Sequence, residues 1–361
     1  MCHGTQTGYT IAMNKTSKCF GNQVKQIRLE KGLTQESLST LSGIERSQLS
    51  KIEAGLVDVQ ISTAQKLSVA LGIEIGELMQ PSASCIHPFV KWAGGKTQLL
   101  DRLVSLMPKE YNEYYEPFIG GGALLFKVNP KHPHINDMND ELLSAYRCFL
   151  SKTTYEGLMA KLDEYDKNHS EENYLFVRAL DRDAKWQKSA DDIERAARMI
   201  YLNKACFNGL FRVNSKGFFN VPSGKKEKVN SYDKTNFANI LSYFNSAKPV
   251  ITHEDFSEAV KNAKSGDFVY FDPPYDTWDD KSSFTSYDKE GFGKKDQARL
   301  AECFRELDKK GVKAMLSNHN TKFINELYDG FEINVVNAKR MINSNASGRG
   351  AVEEVIIRNF Q

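Results

Sequence analysis

The fold is decided by the stretch Phe268-Val269-Tyr270-Phe271-Asp272-Pro273-Pro274-Tyr275. Four apolar residues in a row, all β-branched or aromatic, read as a buried strand. The acid and the two prolines that follow stop strand pairing, because proline has no N–H to give, and they leave a rigid edge at the carboxyl end of a sheet. That edge offers a carboxylate (Asp272), a backbone carbonyl (Pro273) and an aromatic face (Tyr275). A planar amino group could give one hydrogen to each acceptor while its ring stacks on the tyrosine. Two acceptors on one NH2 localise a nitrogen lone pair that is otherwise delocalised into the ring, which makes the nitrogen a nucleophile. An ordinary Asp-Pro turn is the plainer alternative, and the second proline and the tyrosine argue against it.

Outward from this stretch, apolar runs alternate with amphipathic helical segments: YYEPFI from Tyr114, HINDM from His134, PVITH from Pro249, VKAMLSN from Val312, EINVV from Glu332 and EEVIIRN from Glu353. The alternation predicts an α/β domain over residues 89–361, a mostly parallel sheet wrapped by helices. Between Leu143 and Ala247 it gives way to helical and loop-like sequence, which predicts an inserted subdomain over 143–247. Upstream, PSASCIHP (81–88) reads as a linker. Residues 21–80 read as short helices punctuated by glycine, with Val24, Ile27, Leu29, Leu38, Leu41, Leu49 and Ile52 on their apolar faces. Thr34 is expected to cap the second helix, Ser62 or Thr63 to open the fourth, and Gly72 to close it. Residues 1–20 carry no periodicity and read as a tail, in which Met13 offers an alternative start.

The chain has 361 residues, 48 Lys+Arg and 46 Asp+Glu, so its net charge of +2 says little until it is resolved locally. From Ala196 to Thr235 eight basic residues (among them Arg198, Lys204, Arg212 and Lys226) face two acids. With Phe207, Phe211, Phe218, Phe219 and Tyr232 interleaved, the stretch fits a nucleic-acid face, the alternative being a solvated loop. No apolar run approaches the roughly 18 residues that span a bilayer. The first residues contain no apolar signal-peptide core, and the six cysteines form no C-x-x-C pair. A cytoplasmic protein without membrane contact, disulfide framework or metal site is expected.

Two further motifs carry chemistry. In Tyr114-Tyr115-Glu116-Pro117-Phe118-Ile119-Gly120-Gly121-Gly122-Ala123 a strand runs into a glycine turn and a helix, where a ligand can approach the backbone. Asp137 follows on the next strand, at about the spacing of a ribose-binding acid. A dinucleotide fingerprint would need Gly or Ala at 125, and Leu125 stands there. In Lys91-Trp92-Ala93-Gly94-Gly95-Lys96-Thr97, GGKT imitates a phosphate loop, but the first glycine of that loop would fall on Val90. A glycine pair opening a helix, with Lys96 in its first turn, suits a carboxylate better.

The run RLEKGLTQESLSTLSGIERSQLSKIEAG (28–55) resembles the helix-turn-helix domains of the Cro and phage-repressor type. The resemblance implies a third helix in the major groove presenting Glu45, Arg46, Gln48 and Lys51; a degenerate module kept for dimerisation is the alternative. Beyond it, KWAGGK, EPFIGGGA, an insertion containing YLNKACFNGLFRVNSKGFFNVPSG, DPPY and LSNHN, in that order, resemble the Dam-type DNA adenine-N6 methyltransferases over residues 87–361. That resemblance implies a class I methyltransferase sheet, S-adenosylmethionine as methyl donor and double-stranded DNA as substrate. Carried over by motif, Trp92, Glu116, Phe118 and Gly120 line the cofactor pocket, Lys96 meets its carboxylate, Asp137 its ribose and Asp255-Phe256 its adenine. Asp272 adjoins both cofactor and target base, with Pro273 and Tyr275 completing the catalytic edge. Phe207, Asn208, Leu210 and Arg212 are expected to read a palindrome containing GATC. After Val221-Pro222 the chain gives SGKK where the family carries an aromatic, which leaves Lys91 or Lys226 to meet the outer base. Three alternatives remain at this point: a cytosine-N4 methyltransferase, a repressor with an inactive methyltransferase domain, and a helix-turn-helix that only widens the grip on substrate. A companion restriction endonuclease and the oligomeric state are left open.

Overall fold

The computed structural model describes residues 17, 20–25, 27–29, 31–79, 86–92, 94, 96, 99–277, 292–339 and 351–361. The chain divides into two compact units, residues 1–86 and 87–361. Met13 and linker residues 81–85 lie outside the described residues.

In the first unit the Thr34 backbone is extended and its hydroxyl accepts the Ser37 N–H at 3.0 Å, which starts the helix Gln35–Ser42. Gly43 ends that helix at φ +66°. The helix Arg46–Glu53 follows, and then Ile61–Leu71, closed by Gly72 in the left-handed conformation. This last helix begins at Ile61 rather than at Ser62 or Thr63, with Gln60 as its N-cap. Val24, Leu38, Ile44, Leu49, Ile52, Leu67, Leu71 and Leu78 form the core. Leu29 and Leu41, assigned to apolar faces by pattern, are more than half exposed. In Gln35–Ser42 the inward row is Leu38 and Ser42, one turn apart, and Leu41 lies off it. Inside the core Arg28 meets Glu53 in a two-pronged ion pair, Nε–Oε1 2.6 Å and Nη2–Oε2 2.9 Å. Gln35 Nε2 donates to Glu53 Oε2, and Arg28 Nη1 donates to the Leu33 carbonyl. The pair staples the first helical segment to the helix Arg46–Glu53.

In the second unit seven strands form one sheet: β1 (Tyr114–Glu116), β2 (Pro133–Asn136), β3 (Val250–Thr252), β4 (Phe268–Phe271), β5 (Lys313–His319), β6 (Glu332–Lys339) and β7 (Ala351–Arg358). Their order is β3-β2-β1-β4-β5-β7-β6. The first five are parallel to one another; β7 is antiparallel to both β5 and β6. From β1 the chain runs outward through β2 and β3, then returns to β4 on the other flank. Strand order therefore reverses between β1 and β4, and a crevice opens there at the carboxyl ends of the strands. Every residue of β4 is buried.

Between β2 and β3 lie the helices Asp140–Arg147, Lys152–Lys167, Glu171–Ala179, Ala184–Ser189, Asp192–Ala205 and Lys234–Ala247. Leu143 is inside the first of these, so the crossover helix runs on to Arg147 before the added helices begin. Phe237 and Phe244 of Lys234–Ala247 return to pack on Phe89 and Phe149. Arg198, counted above in the basic face, is 1% exposed and sits between Glu141 (2.9 Å) and Asp181 (2.7 Å). A guanidinium satisfied by two carboxylates inside a helical core is scaffolding, so it leaves the basic face.

Candidate active site

The crevice between β1 and β4 gathers acids from successive strand ends. Glu116 closes β1 and is 2% exposed; Tyr114 Oη donates to its Oε2 at 2.6 Å. Burial pushes the Glu116 carboxyl up to about 8, the charge on Asp272 adds to this, and the Tyr114 hydrogen bond opposes it. Just past β2, the Asp137 carboxylate accepts the Gly120 N–H at 3.0 Å and the Asn139 N–H at 2.9 Å. It thus holds the glycine turn as well as facing the crevice end of the sheet. Gly120 stands at φ +46°, and a Cβ there would lie 2.9 Å from Trp92 Cδ1, so the indole packs directly on the turn. Trp92 also stacks on Phe211 of the insertion, with ring centroids 5.0 Å apart.

Just after β4, Asp272 meets Lys96 Nζ at 2.8 Å. Burial raises the Asp272 carboxyl, and the Lys96 charge pulls it back down. Lys96 also donates to the Gly94 carbonyl at 2.8 Å and lies 4.3 Å above the Tyr275 ring. Its spacing suggested the first turn of a helix; Lys96 instead lies outside the helix Leu100–Leu106, and its carbonyl accepts the Leu99 N–H. The half-buried Asp272 carboxylate holds the ammonium group. Tyr275 Oη donates to Glu354 Oε2 of β7 at 3.1 Å. Sequence reasoning missed Glu354, whose alternation in Glu353-Glu354-Val355-Ile356 looks like an ordinary strand surface. Gln297 Nε2 donates to the Pro274 carbonyl, while among the described residues no donor reaches the Pro273 carbonyl.

Asp255 and Phe256 follow β3. Asp255 caps the short helix Phe256–Ala259 and pairs with Arg299 at 2.9 Å. Phe256 is a core residue, 4% exposed, beneath the Arg299 guanidinium. The half-buried ring at this end of the crevice is Phe118, which touches Phe256 and Phe292.

On the insertion, Phe207 is 54% exposed beside Asn208, which takes φ +58°. Asn203, not singled out from sequence, is buried at the root of this loop. Its amide exchanges hydrogen bonds with the backbone of Lys91 (2.9 and 2.8 Å) and donates to the Gly209 carbonyl at 3.0 Å. A polar residue inside the apolar run Tyr201-Leu202-Asn203 was the available signal. Lys91 and Lys226 flank Lys204, whose ammonium is pushed down by burial and by those two charges, and Lys226 Nζ donates to the Lys204 carbonyl. Leu210 is half-buried. Arg212 is exposed and oriented by Asn220, Nε to Oδ1 at 2.8 Å. Cys206, whose thiol donates to the Leu210 carbonyl, is buried with that thiol pushed up, unsuited to act as a nucleophile.

In the first unit Arg46, Gln48 and Lys51 are exposed on one helix, and Glu45 caps it, accepting from Ser47. Among the described residues no helix is long and apolar enough to cross a membrane, and no group of His, Cys, Asp or Glu could hold a metal ion.

A sheet that reverses order beside Glu116 and an Asp-Pro-Pro-Tyr edge, with a helical insertion carrying exposed lysines, defines a class I methyltransferase domain. Comparison with known proteins narrows the class. The chain belongs to the D12 class N6 adenine-specific DNA methyltransferase family, whose model matches residues 92–342. A helix-turn-helix family model matches residues 24–78. Similar proteins include the type II methyltransferase M1.LlaDCHI of Lactococcus lactis subsp. cremoris, 45% identical over 283 residues, covering 78% of this chain and 99% of the relative. The DNA adenine methylases of Vibrio cholerae (33% identity) and Escherichia coli K12 (32%) each match 74% of this chain, and 94% and 93% of their own lengths. A crystal structure of the restriction-modification controller protein C.AhdI from Aeromonas hydrophila is 40% identical over 17% of this chain and 94% of its own, with a TM-score of 0.17. The family is adenine-specific, which sets the cytosine-N4 reading aside.

Proposed function

We propose that this DNA adenine methyltransferase takes its methyl group from S-adenosylmethionine and modifies adenine N6 within GATC in double-stranded DNA. The observation that carries the reading is the Asp272-Pro273-Pro274-Tyr275 edge at the sheet reversal, beside buried Glu116. The donor set suits this cofactor. It has a sulfonium and an ammonium for the acids Glu116 and Asp272, a ribose diol for Asp137, and a flat aromatic adenine for Phe118 and the Asp255-Phe256 corner. Trp92 and Gly120 would line the pocket, and Lys96 is the cation available to a carboxylate. When bound, S-adenosylmethionine supplies an electrophilic methyl group, so no nucleophile from the protein is needed.

The protein's own task is to make the adenine amino group a nucleophile. The amino group is paired inside the duplex, so the base must be flipped out to be reached. Asp272 and the Pro273 carbonyl then accept its two hydrogens, and Tyr275 stacks on the ring. The Lys96 charge opposes the burial that raises the Asp272 carboxyl.

On the DNA side Phe207 is exposed and fits the gap left by the flipped base, while Lys91, Lys204 and Lys226 supply positive charge around it. Asn208, Leu210 and Arg212 read the neighbouring pairs, Leu210 against a thymine methyl and Arg212 against guanine O6 and N7. The helix Arg46–Glu53 is a second reader, for a promoter palindrome, through Arg46, Gln48 and Lys51. Such a site calls for a dimer spanning two half-sites about one helical turn apart. The type II name of the Lactococcus relative supports a role beside a restriction endonuclease in the cytoplasm.

Modified-base sequencing of DNA from cells expressing the protein tests the first reading. N6-methyladenine in GATC is expected, and a modified motif without an internal ATC would overturn the site. For the second reader, the R46A/Q48A variant should lose one unmethylated promoter palindrome while still methylating. Unchanged promoter binding would overturn it.

A further inference from the structure

Two features near the catalytic edge have no part in the chemistry above: the Leu316-Ser317-Asn318-His319 end of β5, and a glutamine inside the helix Lys294–Lys309. Asn318 is 0% and Gln297 1% exposed. They form one directional chain. The Asp276 N–H donates to Asn318 Oδ1 at 2.9 Å, Asn318 Nδ2 donates to Gln297 Oε1 at 3.0 Å, and Gln297 Nε2 donates to the Pro274 carbonyl at 2.8 Å. The two ends of this chain are the peptide groups on either side of Tyr275. Asp276 is tied down further, its carboxylate accepting Thr321 Oγ1 at 2.6 Å and its carbonyl facing His319 Nδ1 at 2.6 Å.

We propose that Gln297 and Asn318 are positioning residues for methyl transfer, clamping the backbone on both sides of Tyr275 to set its ring plane and the aim of the Pro273 carbonyl. The proposal rests on the stacking and acceptor roles read above for those two groups. Each amide in the chain fixes the orientation of the next, because turning either one would set N–H against N–H or C=O against C=O. At this burial no water can replace a lost partner. Two primary amides in a core add little to stability over apolar residues of the same size, but a fully satisfied polar chain specifies one geometry. Engaging the Pro274 carbonyl also leaves the carbonyl of Pro273 as the acceptor that faces the target.

The test uses the full chain and a GATC duplex with 2-aminopurine in place of the target adenine for fluorescence, and adenine for turnover. Gln297→Met keeps the volume and removes the clamp. The expected result is a kcat lower by about 10- to 100-fold, the range set by an ångström-scale misplacement. Cofactor affinity and KM for DNA should stay within about twofold, because Gln297 is 1% exposed and has no part in the binding roles assigned above. The 2-aminopurine emission should rise above wild type, since a flipped base that no longer stacks is less quenched. Gln297→Glu should regain kcat as pH falls, because a protonated carboxyl can donate to the Pro274 carbonyl and accept from Asn318. Circular dichroism showing the variant folded at every pH separates that recovery from a role in folding alone. A folded Gln297→Met with wild-type kcat and emission overturns the clamp. If Gln297→Met does not fold, a pH profile of Gln297→Glu parallel to wild type overturns it instead. Tyr275→Ala separates the two levels: normal turnover in that variant overturns the stacking role itself, whereas impaired Tyr275→Ala beside a normal Gln297→Met overturns only the clamp.

Discussion

Replacing Glu116 with glutamine should make the catalytic unit more resistant to unfolding at alkaline pH while weakening its cofactor site. The side chain is 2% exposed at the end of β1 and hydrogen-bonded by Tyr114. Burial pushes its carboxyl from the ordinary 4.5 up to about 8, helped by Asp272 and opposed by the Tyr114 hydroxyl and the Leu125 N–H. Because the folded-state value lies above the unfolded one, the stability this group contributes is complete below about pH 4.5. It is lost as pH rises to about 8, at about 1.4 kcal/mol per pH unit, on the order of 5 kcal/mol in all. A glutamine in this place cannot ionise, yet its carbonyl can still accept from Tyr114, so the variant escapes that loss. Urea denaturation of wild type and Glu116→Gln from pH 5 to 9 measures the gap, which should open steadily to about pH 8 and then stay constant. The same carboxyl should lose its proton when a cationic cofactor binds. Calorimetry at pH 7 in buffers of different ionisation enthalpy should therefore show proton release in wild type and none in the variant. A stability gap that is flat with pH would mean that Glu116 is already ionised in the folded protein, and the reasoning would fail.

Three other variants probe separate parts of the molecule. Lys96→Ala removes the charge that pulls the Asp272 carboxyl down, so the acid limb of the kcat/KM profile should move to higher pH; an unmoved limb would detach Lys96 from Asp272. Glu53→Ala strands Arg28 in the core of the first unit and should destabilise that unit by about 3–5 kcal/mol, seen as an earlier unfolding step, with methyl transfer unaffected. Arg212→Ala should relax one base of the recognition sequence at a cost of about 1–3 kcal/mol, read from methylation of duplexes that differ at single positions.

The parts of this protein that sequence disclosed were those in which a local pattern and a tertiary role coincide. The run Phe268–Phe271 is buried because a central parallel strand is covered on both faces, and Thr34 and Gly43 signal helix ends through their own backbone chemistry. Charge patterns were less transparent. Arg198 raised the basic count of its segment but is held between Glu141 and Asp181, partners that spacing along the chain cannot reveal. Lys96 followed a helix-start pattern, yet a carboxylate 176 residues away in sequence decides where its ammonium group lies. Glu354 and Gln297 reach Tyr275 and the Pro274 carbonyl only because β7 pairs with β5 and the helix Lys294–Lys309 packs beside β5. Strand registers and helix docking made that part of the site, and neither leaves a mark in a short motif.

The central claim is that the carboxylate of Asp272, on the rigid edge after β4, makes an adenine amino group reactive. Single-turnover methyl transfer from labelled S-adenosylmethionine to a GATC duplex, with wild type and Asp272→Ala at saturating DNA, tests it most directly. Label on adenine N6 is expected with wild type, and no detectable transfer by the variant although it still binds the duplex. Transfer by Asp272→Ala at a near-normal rate, or label on another atom, would contradict it.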